Sequence, residues 1–213
     1  RLATTDYGAL AILPNAIRQF SRDAPGAGVE IVPFSRDVFR ALAEGQVDLL
    51  LYADGPVPGS FRAMKLFEES FVSLVRAGHP LHRRLGEDGV LPVEDFAAWP
   101  QVMVTVFGGT TGPVDAALAA IGLKRHIALW VPYFATAAVI TATSDLVVTM
   151  PSRVAQQLGP PLGLVSLTMP PLVPPYGYRL LWHERSHGDP AMVWLRRLIR
   201  RSVRKANPAQ AAG

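Results

Sequence analysis

Hydroxyl groups gather in this chain where apolar strands give way to helices, and hydroxyls are groups that can hold the oxygens of a small anion. In RLATTDYGALAILPNAIRQF a strand-like opening runs into Thr4, Thr5, Asp6 and Tyr7 before an amphipathic helix over residues 8–20. Capping that helix is the simpler role for Thr5 or Asp6; facing a ligand is the other. The same junction recurs at Phe34-Ser35-Arg36, Gly108-Gly109-Thr110-Thr111, Pro132-Tyr133-Phe134 and Thr149-Met150-Pro151. Each lies where a helix begins, so free N–H groups and the helix dipole there favour an anion.

Other chemistries find less support. HERSH, residues 183–187, fits the H-E-x-x-H zinc pattern, which needs both histidines on one helical face. Here it follows a strand and runs into Gly188-Asp189-Pro190, which reads as a helix start. His183 is therefore expected at a strand end, with Asp189 capping the last helix and Pro190 at its first position. FGGTTG lacks the Lys-Ser/Thr of a phosphate loop, and neither G-x-G-x-x-G nor G-x-S-x-G occurs. With no cysteine, disulfides, thiolate metal sites and cysteine nucleophiles are excluded. No metal, no cofactor and no enzymatic activity are expected. His79 and His82 flank Pro80 in a loop and read as solvated hinge residues.

Five strand–turn–helix units position these junctions: RLATTDYGAL, VEIVPFSRDVFRALAEG, QVMVTVFGGTTGPVDAALAAIG, HIALWVPYFATAAVITA and DLVVTMPSRVAQQLG. Such alternation argues for an α/β fold with mainly parallel sheets, whose ligands bind beyond the carboxyl ends of the strands. Thr5 and Tyr7 are then expected to face a shared cleft. FRAMKLFEESFVSLVRAGHPL reads as two strands, and YRLLWHE as a strand that returns before a long terminal helix. A strand leaving one sheet and another returning predict two subdomains joined by a two-strand hinge. They are expected over residues 1–76 with 177–205 and over 77–176, with 206–213 as a flexible tail.

A chain of 213 residues, 49% hydrophobic and 18% charged, can bury such cores. Its net charge of +4 is concentrated at one end. Arg196, Arg197, Arg200, Arg201, Arg204 and Lys205 are six of the 21 basic residues, leaving 15 against all 17 acids before them. A solvated helix face is expected there, not a nucleic-acid surface, since no aromatics are interleaved to stack bases. The uncharged stretches 127–144 and 159–178 are broken by proline and short of the roughly 20 apolar residues a spanning helix needs. Arg1 leads straight into strand pattern with no initiator Met and no signal peptide. The natural N-terminus is expected upstream, and the location cytoplasmic.

Taken together, LPNAIRQFSRDAPGAGVEIVP, ALAEGQVDLLLYADGPVPGSFRAMKLFEESFVSLVRAGHPL, DLVVTMPSRVAQQ and RLLWHERSHGDPAMVWLRRLI resemble the effector-binding domain of LysR-type transcriptional regulators. ATTDY with LVVTMP and WH…DP…WL is similar to the subgroup of nodulation and aromatic-degradation regulators. The resemblance implies a type II periplasmic-binding-protein-like fold and an effector that is an aromatic carboxylate or related compound. It also implies a homodimer or homotetramer using helix 9–20, and DNA contact only through a winged helix-turn-helix upstream. Carried over residue by residue, it implies an effector site of Thr5, Tyr7, Ser35, Arg36, Phe107, Thr110, Thr111, Tyr133, Phe134 and Thr149. Arg36 would then fork onto a carboxylate, or else pair at the surface with Asp37. Phe107 and Phe134 would sandwich a ring, or else sit in the core. Tyr133 stands where similar regulators often carry histidine; tyrosine keeps a donor but loses a group that titrates near neutral pH. An extracytoplasmic solute-binding protein of a transporter, with the same bilobal plan, is the alternative.

Overall fold

The computed structural model describes residues 1–53, 55–105, 109–169 and 172–205. The chain opens with β1 (Leu2–Thr4), α1 (Asp6–Ala11), α2 (Leu13–Asp23), β2 (Ile31–Pro33), α3 (Val38–Glu44) and β3 (Leu49–Ala53). Next come β4 (Phe61–Glu69), β5 (Phe71–Arg76), α4 (Val93–Ala98), β6 (Gln101–Val104), α5 (Pro113–Ala119) and β7 (Ile127–Val131). It closes with α6 (Phe134–Ala142), β8 (Val147–Pro151), α7 (Ser152–Leu158), β9 (Leu164–Ser166), β10 (Tyr176–His183) and α8 (Pro190–Lys205). All five expected strand–turn–helix units are present.

The strands form two five-stranded sheets, β2-β1-β3-β10-β4 and β7-β6-β8-β5-β9. In the first, β1 runs parallel to β2 and β3, and β10 antiparallel to β3. In the second, β6 runs parallel to β7 and β8, and β5 antiparallel to β8 and β9. The sheets are therefore mixed, where the sequence pattern predicted mainly parallel ones. The departure lies in β5 and β10, the strands that follow each passage of the chain from one unit to the other.

Those units are Arg1–Glu68 with the segment from Tyr176 on, and Glu69–Pro175. The return at Tyr176 falls one residue from the expected 177, but the first passage comes eight residues before the expected 76. Strand pairing is the reason: Phe71–Arg76 is hydrogen-bonded to β8 and β9, so β5 belongs wholly to the second unit.

In the first unit Leu49, Leu50 and Leu51 are fully buried in succession, as in a strand covered on both faces. Val38 and Leu42 of α3 pack with Ala3, Val47, Leu50 and Leu181, each large aliphatic contributing roughly 1.5–3 kcal/mol by burial. Gly45 ends α3 at φ +80°, the left-handed turn that glycine adopts without strain. The second core joins Val75, Leu81, Leu91, Phe96, Val114, Leu118 and Val147. At the edge of that sheet, β7 leaves Trp130 48% exposed.

Three details correct the sequence reading. The expected helix over residues 8–20 is broken at Ile12 (φ −118°, ψ −48°), because Pro14 brings no N–H and its ring crowds the preceding turn. His79 is 1% exposed, not solvated: its Nδ1 accepts the Leu81 N–H at 3.1 Å, and its Nε2 meets the Asp145 carbonyl at 3.1 Å. Arg196 is 5% exposed and faces away from solvent, unlike its neighbours Arg197, Arg200 and Arg201. It donates to the Ser186 and His187 carbonyls at 3.1 and 2.6 Å, with its guanidinium 4.4 Å over the Trp182 ring.

Candidate functional site

In the first unit, the turn after β1 places Thr5 at the N-cap of α1 with extended backbone and no side-chain capping bond. Its half-buried hydroxyl is thus not spent on the helix. Thr4, buried beside it, donates to the Thr5 carbonyl at 3.1 Å. Tyr7 does not join them at a cleft. It is 3% exposed and meets Tyr178 edge-on at 4.8 Å, while Phe67 stacks on Tyr178 at 5.6 Å. These three rings are core. A Cβ on Gly8 would run into the Thr4 hydroxyl and lie 2.7 Å from the Tyr178 hydroxyl, so the close approach of α1 to these groups requires glycine.

The turn after β2 exposes Ser35 and Arg36 but turns Phe34 inward, stacked on Tyr52 at 5.9 Å. The Ser35 carbonyl accepts the Val38 N–H at 3.2 Å. Asp37 is ion-paired with Arg40 at 3.1 Å.

In the second unit, Thr149 sits near the carboxyl end of β8, half-buried, directly opposite Ser73 of β5. Their hydroxyls are 2.8 Å apart, and Ser73 is 4% exposed. Just beyond, the Glu69 carboxylate accepts the Ser70 N–H at 2.8 Å and the Ser152 hydroxyl at 2.6 Å. Tyr133 stands at the N-cap of α6 with 55% of its surface exposed, whereas Phe134 is 9% exposed and part of the core. Phe107 lies outside the described residues.

Thr110 and Thr111 are exposed and line a groove of about 590 Å³ with side chains of α5 and β7, including Ala119, Ile127 and Trp130. Thr149, Tyr133 and Phe134 are not among its walls. In the wall of the groove Arg125 grips Asp115 through two bonds of 2.7 Å and reaches Gln101 Oε1 at 3.2 Å. Burial by itself would push the Asp115 carboxyl up; the Arg125 fork and the Gly112 N–H outweigh it and hold the carboxyl below the usual range.

HERSH behaves as expected. β10 ends at His183, and the Asp189 carboxylate accepts the Met192 N–H at 2.8 Å to cap α8, whose first residue is Pro190. No cluster able to hold a metal ion exists among the described residues.

The polar groups around Thr149 that sequence reasoning did not single out are Glu69, Ser73 and Ser152. A signal for Glu69 was available, since period-2 alternation through LFEESF gives it the inward parity of Phe67.

The sequence profile of the LysR substrate-binding domain matches residues 1–204. The chain belongs to this family. Among LysR-type relatives it is 32% identical to the HTH-type transcriptional activator NahR of Pseudomonas putida, over 93% of this chain and 65% of the relative. It is 30% identical to the HTH-type transcriptional regulator SyrM of Rhizobium meliloti, over 92% of this chain and 59% of the relative. The chain thus spans roughly 60–65% of the length of these curated relatives. A probable transcriptional regulator from Pseudomonas aeruginosa superposes with a TM-score of 0.81 at 31% identity, over 93% of this chain and 64% of that one. The regulatory domain of MexT from the same organism gives 0.81 at 24% identity, over 95% and 96%. The fold is therefore that of LysR regulatory domains, periplasmic-binding-protein-like of type II. These matches favour the regulator over the solute-binding protein of a transporter. No helix among the described residues is long and apolar enough to cross a membrane.

Proposed function

We propose that this chain is the effector-sensing part of a bacterial LysR-type transcriptional regulator and that its effector is a small aromatic carboxylate. The observation that carries this reading is the half-buried Thr149–Ser73 hydroxyl pair at the carboxyl end of β8, where ligands of α/β sheets bind. In the first unit, the uncommitted Thr5 hydroxyl and the exposed Ser35 and Arg36 at the ends of β1 and β2 support the same reading. Tyr133 presents a ring and a donor beside the helix that follows β7. Tyr7 and Phe134 serve as packing.

The domain acts without catalysis, in the cytoplasm, as a homodimer or homotetramer that uses the outward face of α1–α2, while DNA is held by another part of the regulator. Binding favours one arrangement of the protein by differential affinity for it.

A thermal-shift screen with salicylate, benzoate, a flavonoid, aliphatic acids and amino acids tests the reading. A ligand at about 100 times its Kd adds roughly 2.7 kcal/mol, a rise of about 5–10 °C for a domain of this size. A rise with salicylate or benzoate, lost in Thr149→Val and reduced in Thr5→Ala, is the expected result. A response to amino acids alone would overturn the ligand class, and an undiminished response in both variants would overturn the site.

A further inference from the structure

Glu69 is a carboxylate in the wrong place for a surface residue. Its side chain is 1% exposed, on the first residue of the second unit, next to the bond by which the chain enters that unit. A buried carboxylate is strongly disfavoured unless it is paired and hydrogen-bonded, and this one is both. One oxygen accepts the Ser70 N–H at 2.8 Å and the Ser152 hydroxyl at 2.6 Å. The other faces the Arg153 guanidinium at 3.8 Å, on a side chain itself only 12% exposed. The backbone reinforces the contact, since the Ser152 N–H donates to the Ser70 carbonyl at 2.8 Å.

These bonds tie three pieces together: the end of β4, the head of β5, and the joint between β8 and α7. Thr149 lies on the same joint, three residues before Ser152, and its hydroxyl is fixed to β5 by Ser73. The turn is thus fastened by side chains at two points, Thr149 to β5 by a hydroxyl pair and Ser152 to the last residue of β4 by a buried carboxylate. A binding group keeps its geometry only as well as the groups behind it are held.

Resting on the ligand site proposed above, we propose that Glu69 is a positioning residue of that site. It clasps the Thr149–Ser152 turn against the head of β5, so that Thr149 is ready for the ligand and any movement of the turn reaches the segment by which the chain enters this unit.

The test uses the 213-residue chain with Glu69→Ala, Glu69→Gln, Ser152→Ala and, as a control for lost stability, Leu118→Ala, which opens the same unit's core away from the turn. Two quantities are read: amide hydrogen exchange over residues 147–153 against residues 113–119, and the Kd for salicylate. Glu69→Ala and Ser152→Ala should speed exchange in 147–153 by about tenfold more than in 113–119 and weaken salicylate about tenfold. Glu69→Gln keeps the oxygen that takes both hydrogen bonds and should recover most of the affinity. Leu118→Ala, compared at matched distance from its Tm, should leave the Kd within about twofold. Native affinity in Glu69→Ala, or an equal loss in Leu118→Ala, overturns the proposal. If the native chain binds no salicylate, the ligand reading falls while the exchange experiment still decides the clasp: unchanged exchange in 147–153 overturns it.

Discussion

The two units repeat one plan, three parallel strands followed by one that runs antiparallel to them, but their cores hold together by different chemistry. Beneath the turn after β1, the first unit is sealed by rings, with Tyr7 edge-on to Tyr178 and Phe67 stacked behind. Its carboxylate ion pairs lie outside, as with Arg1–Glu30 and Arg40–Asp37, whose side chains are about half or more exposed. The second unit puts ionised and hydroxyl groups inside: Asp115–Arg125–Gln101, Glu69–Ser152 and Thr149–Ser73. Arg196 is the first unit's buried cation, satisfied by carbonyls and an indole face. The difference teaches that similar strand topologies can depend on volume in one unit and on charge in the other. The sequence-level hydrophobic pattern does not distinguish them.

Two substitutions of the largest expected effect would break this contrast. Arg125→Ala leaves the half-buried Asp115 carboxylate without its fork and should cost about 2–3 kcal/mol in urea denaturation. Arg40→Ala, which removes exposed pairs with Asp37 and Glu44, should cost no more than about 1 kcal/mol; equal losses would erase the distinction. Tyr7→Ala should also cost about 3–5 kcal/mol, and a stable Tyr7→Ala protein with lost salicylate binding would return Tyr7 to the ligand site.

Acid sharpens the contrast further. Burial, opposed by the Asp145 carbonyl, pushes the His79 imidazole below its ordinary 6.5. The unfolded chain therefore takes up that proton first. The stability His79 gives is complete above about pH 6.5 and is lost as pH falls toward its lower folded value. Asp115, also held low, gives stability that is present above the ordinary carboxylate range and lost only in stronger acid. Thermal melts from pH 8 to 5 should show a declining Tm whose slope flattens in His79→Asn. An effect nearly as small belongs to a polar bond of the first unit: Asp189→Ala removes the α8 cap and should cost about 1 kcal/mol by the same denaturation assay.

Local chemistry made much of this legible. The alternation of strands and helices, the stop at Gly45 and the Asp189-Pro190 start of α8 depend on residues within one turn of each other. The break at Ile12 was written in Pro14. Long-range pairing hid the rest. Whether Tyr7 faces a ligand or the core depends on Tyr178 and Phe67, far along the chain, and the unit boundary depends on which sheet claims β5. His79 looked solvated because nothing nearby in sequence announces that Trp99 and the Asp145 carbonyl will cover it. Tyr7 and Phe134 mark where local chemistry stops: both stand at strand–helix turns, and long-range packing buries both rings.

The edge strand β7 has a practical consequence. IALWV carries no charge, lies at the border of its sheet and leaves Trp130 nearly half uncovered. Its outer row of peptide groups is a template on which another extended chain can form a ladder. In concentrated solution, or during recovery from denaturant, this border is where aggregation should begin. A lysine in place of Ala128, on the exposed rhythm of the strand, should keep the protein dispersed without disturbing either core.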